Sequence, residues 1–252
     1  MGWRRALEQS ASSHVRQARV WLENLDRASW HLLLPASADA TVLEIGAGLG
    51  TVTHALALAY RCVLALEPTM ERVTFMRRRF AEEGLGNVHV IQADPLDLPV
   101  RRESADLVVL NGVLGWACSD GRRRQVRHRL LETVRTVIKP GGLVYLAGGN
   151  RWALHAGGVG RRAALASARG YRMLLEAAGY TDVRIWCALP SHDEPRFLVA
   201  YEPGIFDHFT RALAAPPRTP ARRLAWRVLN SLGLLKQMTG SYCLVARRDR
   251  RA

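Results

Sequence analysis

Lysine is almost absent from this sequence: only Lys139 and Lys236 occur, so 34 of its 36 basic residues are arginine. That imbalance bears on the net charge of +14, which at first suggests a nucleic-acid footprint. The arginines sit in scattered groups at 101–102, 122–124, 161–162, 222–223 and 247–251, without the interleaved aromatics of a base-stacking surface. Together with abundant alanine and glycine they read as a whole-chain compositional preference, and a polynucleotide partner is the lesser reading. Paired cysteines are also missing. Cys62, Cys118, Cys187 and Cys243 are far apart and form no CxxC, which disfavours a structural zinc site. Three of them lie in apolar runs (RCVLALE, VRIWCAL, SYCLVAR) and read as small buried hydrophobes. No apolar run approaches the roughly 18–20 residues of a membrane-spanning helix, and no membrane contact is expected. The opening MGWRRALEQSASSHVRQARV lacks the apolar segment of a secretory signal, so the expected location is cytoplasmic. No His/Asp/Glu spacing supplies a metal site, and none is expected.

What is present is an ordinary globular composition, 48% hydrophobic, in a chain long enough for one substantial core. From Val42 onward short apolar runs alternate with amphipathic helical patterns, which argues for a mainly parallel sheet covered on both faces. Strands are expected at 41–45, 62–67, 88–92, 105–111, 142–148, 182–187 and 241–246. Helices are expected at 51–59, 70–83, 122–138 and 163–178. VIKPGG ends the third of these, because proline cannot continue a helix and the glycines permit a turn. Residues 15–34 read as one or two helices with two compatible roles, packing on the sheet edge or covering a ligand. Residues 188–240 read as an irregular insertion.

The strongest chemical signal is VLEIGAGLG, in which an apolar strand runs into Gly46, Ala47, Gly48 and Gly50 and then into a helix. Glycines there allow a tight turn and a close approach of ligand to backbone, and open parallel sheets bind ligands at this rim. A glycine motif alone also suits a dinucleotide fold or a simple turn, so context decides. Glu44, at the strand end, would repel a pyrophosphate but suits a cationic amino-acid ligand. The next strand ends in LALEP, putting Glu67 where a carboxylate accepts from both hydroxyls of a ribose. IQADPLDLP puts Asp94 at the third strand end, able to accept from an adenine amino group. DLVVLNG puts Asn111 and Gly112 on the same rim. Asp97 reads as a turn residue and Asp106, at the far end of its strand, as structural.

Segment 38–150, through VLEIGAGLG, LALEP, QADPLDLP, DLVVLNGVLGW and IKPGGLVYLA, resembles the core of class I S-adenosylmethionine-dependent methyltransferases. The resemblance implies an α/β, doubly wound sheet of seven strands, the last antiparallel, with S-adenosyl-L-methionine as cofactor. It implies that residues 44–50 approach the methionine part, Glu67 holds the ribose and Asp94 the adenine. Asn111 and Val113 would then lie near the transferred methyl group. The organisation expected is a helical cap at 1–37, a cofactor-binding core at 38–187, a substrate-side insertion at 188–240, and a final strand with a basic tail at 241–252. Unlike the family's usual pattern, GVLGW has glycine where an acidic residue commonly follows the fourth strand.

The acceptor side is less legible. GNRWALHAGGVGRR follows the fifth strand and offers Asn150, Arg151, Trp152 and His155, while LPSHDEPRF offers His192, Asp193, Glu194 and Arg196. Histidine titrates near neutrality and suits removal of a hydroxyl proton, so His192 and His155 are the candidate bases. Arg196 and Arg151 are the candidates for clamping a carboxylate. Trp116 suits either a pocket cap or the core, and His208 an amphipathic packing segment. The pattern resembles bacterial natural-product, sugar or peptide tailoring methyltransferases, which implies O-methylation of a small-molecule or peptide-like acceptor. The alternatives are an RNA methyltransferase and a non-catalytic cofactor-binding partner protein; homodimerisation is left open.

Overall fold

A computed structural model of the chain describes residues 2–3, 22–34, 37, 39–116, 123–153, 166–202, 204–212, 224, 228–229 and 234–250. The apolar runs form the strands β1 (Thr41–Ile45), β2 (Cys62–Glu67), β3 (Val88–Gln92) and β4 (Ala105–Asn111), each with the bounds the sequence suggests. Later strands are longer than expected: β5 spans Ile138–Gly149, β6 Tyr180–Pro190 and β8 Ser241–Arg248. The helices are α1 (Thr51–Ala59), α2 (Met70–Glu82), α3 (Val113–Trp116), α4 (Arg123–Val137), α5 (Ala168–Ala177) and α6 (Ile205–Ala212). Pro140 disfavours helical backbone at Lys139, and α4 accordingly stops at Val137 and gives way directly to β5.

One expectation is corrected. An eighth strand, β7 (Pro195–Ala200), lies inside the stretch read as irregular, so the strand order is β3-β2-β1-β4-β5-β8-β6-β7 rather than a seven-stranded one. β7 pairs antiparallel with β6, Cys187 opposite Val199 and Leu189 opposite Phe197. In sequence Phe197-Leu198-Val199 is flanked by charges and proline; only the partner strand across the Ser191–Glu194 reversal makes it a strand. α6 lies in the same stretch.

The chain divides into two compact units. The first comprises Met1–Leu110, Arg129–Val144 and Arg248–Ala252. In it β1 pairs in parallel with β2 and β4, and β2 with β3, so the carboxyl ends of these strands align. Ala47, Ala65, Val73, Met76, Phe80 and Val90 form a core cluster that seats α2 against the sheet and the loop after β1. At the opposite end of β4, Asp106 accepts from the Thr41 amide at 2.9 Å and from Lys139 Nζ at 2.7 Å. Burial opposes ionisation there, but these bonds and the charges of Lys139 and Arg61 hold the carboxyl below its ordinary range. Of the segment read as helical at 15–34, Leu25–Leu33 is a 3-10 helix with Trp30 fully buried, and residues 15–21 lie outside the described residues.

The second unit comprises Asn111–His128 and Tyr145–Arg247. Ser167 caps α5 by accepting from the Gly170 amide, and the Tyr171 hydroxyl donates to the Gly149 carbonyl at 2.9 Å, tying α5 to the end of β5. Cys187 and Cys243 are buried, and burial pushes each thiol up to about 12, so neither is a thiolate nucleophile near neutral pH. Among the described residues no helix is long and apolar enough to cross a membrane.

Candidate functional site

In the first unit the loop after β1 is held by backbone hydrogen bonds, two of them to β2 and one internal. Gly46 and Ala47 N–H donate to the Leu66 carbonyl at 2.8 and 3.0 Å, and Gly50 N–H donates to the Ala47 carbonyl at 2.9 Å. Gly50 starts α1 in the left-handed region at φ 81°, and a Cβ there would sit 2.5 Å from Phe80 Cζ. Both facts require glycine at that position. A Cβ on Gly48 would meet nothing within 4 Å, so the loop is open on that side.

Two carboxyl groups end the central strands. Glu44, 3% exposed, accepts from the Thr53 hydroxyl at 2.6 Å. Its carboxyl is pushed up to about 8, chiefly by burial; the Thr53 bond works against the shift and the neighbouring charge of Glu67 adds to it. Without a cationic neighbour Glu44 is thus mainly neutral near pH 7, in contrast to the charged group expected from its place in the sequence, because burial disfavours the ionised form. Glu67, 1% exposed, accepts from the Gly48 amide at 3.0 Å through Oε2. Its Oε1 accepts from the Thr69 amide at 3.2 Å and from Arg72 Nη1 at 3.3 Å. These bonds fix the carboxylate between the glycine loop and the start of α2, with Arg72 its exposed partner. Asp94 is exposed and organises the turn after β3: its Oδ1 accepts from the Leu96 amide at 2.7 Å, and Asp97 N–H donates to its carbonyl.

A third group of residues in this unit had no signature in the sequence. Arg79 on α2, 1% exposed, donates to the Leu49 carbonyl in the glycine loop, to the Leu22 carbonyl and to Glu83. Within MERVTFMRRRFAE it looks like one more exposed helix arginine; the three-arginine run hides that its last member alone turns inward, Arg77 and Arg78 staying exposed.

In the second unit the end of β4 carries Asn111, Gly112 and Val113. Asn111 Oδ1 is buried with no hydrogen-bond partner among the described residues, and Val113 is fully buried. His192 comes from the turn between β6 and β7, far away in sequence. A Cβ on Gly112 would lie 3.3 Å from His192 Nε2, so the imidazole packs directly over that glycine. Its side chain is 14% exposed, and Nε2 lies 3.9 Å from Asp193 Oδ1. The other acceptor-side residues disperse. Arg196 is exposed on β7. Arg151 is exposed, its guanidinium 5.1 Å from the ring centre of Trp152. His208 lies on the exposed face of α6. His155 lies outside the described residues. Asn150, expected to line a pocket, is instead a brace: fully buried, it donates through Nδ2 to the Gln237 and Thr239 carbonyls at 2.6 and 2.8 Å. Its Oδ1 accepts from the Trp152 amide at 3.1 Å. A buried amide so placed has its bonding capacity committed to holding two chain segments together.

The residues at the first unit's strand ends fit S-adenosylmethionine. The glycine loop is open at Gly48, and Thr51 Oγ1, one residue into α1, is buried with no partner among the described residues. A helix N-terminus with an unsatisfied hydroxyl suits a carboxylate such as that of the methionine part. Glu67 presents a fixed acceptor pair suited to a ribose. Comparison with known proteins points the same way. Residues 42–142 match the Methyltransferase domain family. None of the curated proteins matches the sequence. Among solved structures, geranyl diphosphate C-methyltransferase from Streptomyces coelicolor A3(2) is similar at 17% identity and TM-score 0.59, over 96% of this chain and 87% of that one. Phosphoethanolamine N-methyltransferase 1 of Haemonchus contortus is similar at 19% identity and TM-score 0.60, over 98% of this chain and 47% of the other. The [4+2]-cyclase SpnF is similar at 17% identity and TM-score 0.55, over 95% and 83%. From the aligned strand ends, the glycine crevice and these likenesses together, the chain has the class I S-adenosylmethionine-dependent methyltransferase fold.

Proposed function

We propose that this protein is an S-adenosylmethionine-dependent methyltransferase that O-methylates a small-molecule or peptide-like natural-product acceptor, with His192 as the base. The observation that carries the proposal is the packing of the His192 imidazole over Gly112, the residue after Asn111, whose buried Oδ1 has no partner among the described residues. A buried acceptor oxygen without a donor suits a ligand that brings an N–H or O–H. When bound, the methyl donor would supply an electrophilic methyl group on a sulfonium and become a neutral thioether on losing it. Glu67 and the glycine loop of the first unit would hold that donor. In the second unit His192 would take the hydroxyl proton of the acceptor, and Asn111 would orient a ligand that donates to its Oδ1. Among the structural neighbours one methylates carbon and another nitrogen, so fold alone does not choose the acceptor atom.

The test is transfer of label from radiolabelled S-adenosylmethionine into separate pools of small metabolites, peptides and RNA. Label in a small-molecule or peptide pool at oxygen, lost in Glu67→Ala, is expected. His192→Gln should lower kcat by about 10²–10⁴ while leaving S-adenosylhomocysteine affinity unchanged. Label confined to RNA would move the assignment to a nucleic-acid acceptor. Donor binding with no transfer in any pool would favour a non-catalytic partner protein, and absence of donor binding would reject the enzyme reading.

A further inference from the structure

A buried guanidinium is tolerated only where it is paired and hydrogen-bonded. Arg79 meets that demand with partners from stretches distant in sequence. Nη1 donates to the Leu49 carbonyl at 3.1 Å, Nη2 to the Leu22 carbonyl at 3.2 Å, and Nε to Glu83 Oε1 at 3.2 Å. Nη2 is also 3.3 Å from His54 Nδ1 on α1, and that nitrogen is 2.9 Å from Glu83 Oε2. The guanidinium carbon lies 5.0 Å from the ring centre of Trp3, whose amide donates to Glu82 at 2.8 Å. The Leu49–Gly50 peptide is therefore held at both ends, its carbonyl by Arg79 and its N–H by the Ala47 carbonyl. The next residue of α2, Phe80, packs on Gly50. Two consecutive side chains of one helix thus set the glycine loop, and the first of them also contacts Leu22 and Trp3.

We propose that Arg79 is a positioning residue that makes the geometry of the donor-binding loop depend on the docking of Trp3 and Leu22. The inference rests on the donor reading above. The forked guanidinium is essential to it, because a lysine ammonium, a single point charge on a flexible stem, does not hold the Leu49 and Leu22 carbonyls in one fixed geometry. Undocking Trp3 removes the aromatic face beside the guanidinium and loosens its grip on Leu49. Donor affinity then falls, although Trp3 comes from a segment far from the loop in sequence.

The experiment is calorimetric titration of the full chain with S-adenosylhomocysteine, alongside its melting temperature. The variants are Arg79→Lys, Trp3→Ala, both together, and Asn87→Ala as a control. Asn87 braces the Ala57 and Tyr60 carbonyls elsewhere in the same unit. Arg79→Lys is expected to weaken binding about tenfold and Trp3→Ala about threefold, with Trp3→Ala adding almost nothing in the Arg79→Lys background. Asn87→Ala is expected to lower the melting temperature without changing affinity. Folded variants that bind like the wild type would overturn the proposal. So would effects of Trp3 and Arg79 that simply add, or an equal loss of affinity in Asn87→Ala. If Arg79→Lys does not fold, Trp3→Ala decides alone: unchanged affinity overturns the proposal. A wild-type chain that does not bind S-adenosylhomocysteine overturns the donor reading itself, a result distinct from intact binding in every variant.

Discussion

Replacing Glu44 by glutamine removes a charge the fold accommodates poorly, and the consequence is a specific dependence of stability on pH. The folded-state value of this carboxyl, about 8, lies above its unfolded value near 4.5. Over that interval the folded chain binds more proton than the unfolded one, so the group's contribution to stability is full below about 4.5 and declines as pH rises toward about 8. Integrated from about pH 5 to about pH 7, the loss is roughly 2–3 kcal/mol. Glutamine does not ionise, and its carbonyl oxygen still accepts from the Thr53 hydroxyl. Urea denaturation of wild type and Glu44→Gln across this range should therefore show the variant gaining roughly 2–3 kcal/mol on the wild type as pH rises. If S-adenosylmethionine binds with its cationic methionine part at Glu44, as the family resemblance implies, it should flatten the wild-type slope. A stability difference independent of pH, or one that moves in favour of the wild type, would refute the reasoning.

Two further outcomes follow from the geometry. Gly50→Ala forces a β-carbon into left-handed backbone and against Phe80; it should cost roughly 1–3 kcal/mol and abolish measurable S-adenosylhomocysteine binding by calorimetry. Asn150→Ala strips the Gln237 and Thr239 carbonyls of a donor in a buried place, and chemical denaturation should show a loss of roughly 2–4 kcal/mol. Donor affinity should stay near wild type in that variant, because Asn150 braces the second unit and the donor-binding loop belongs to the first.

The parts of the fold that were legible share one property: each is dictated within a short window. The bounds of β1 to β4 follow from apolar runs interrupted by glycine, proline or charge, and the loop after β1 from glycines where no other residue fits. The same windows place Glu67 as the last residue of β2 and Asp94 in the turn just past β3. The eighth strand was missed because β7 exists through its pairing with β6, which no window of the sequence contains. Asn150 was misread for a related reason. Polar residues after a strand end look alike in sequence whether they face a ligand or, as here, hold carbonyls nearly ninety residues away.

By itself, then, the sequence determined the alternation of strands and helices, the glycine crevice and the acidic strand ends, since local sterics and hydrophobic period specify them. Tertiary structure alone decided three things. It turned Arg79 inward to bridge Leu22, Leu49 and His54, it brought His192 over Gly112, and it buried Glu44 enough to favour its neutral form. All three depend on desolvation and on contacts between segments distant along the chain, and neither is encoded at any one position.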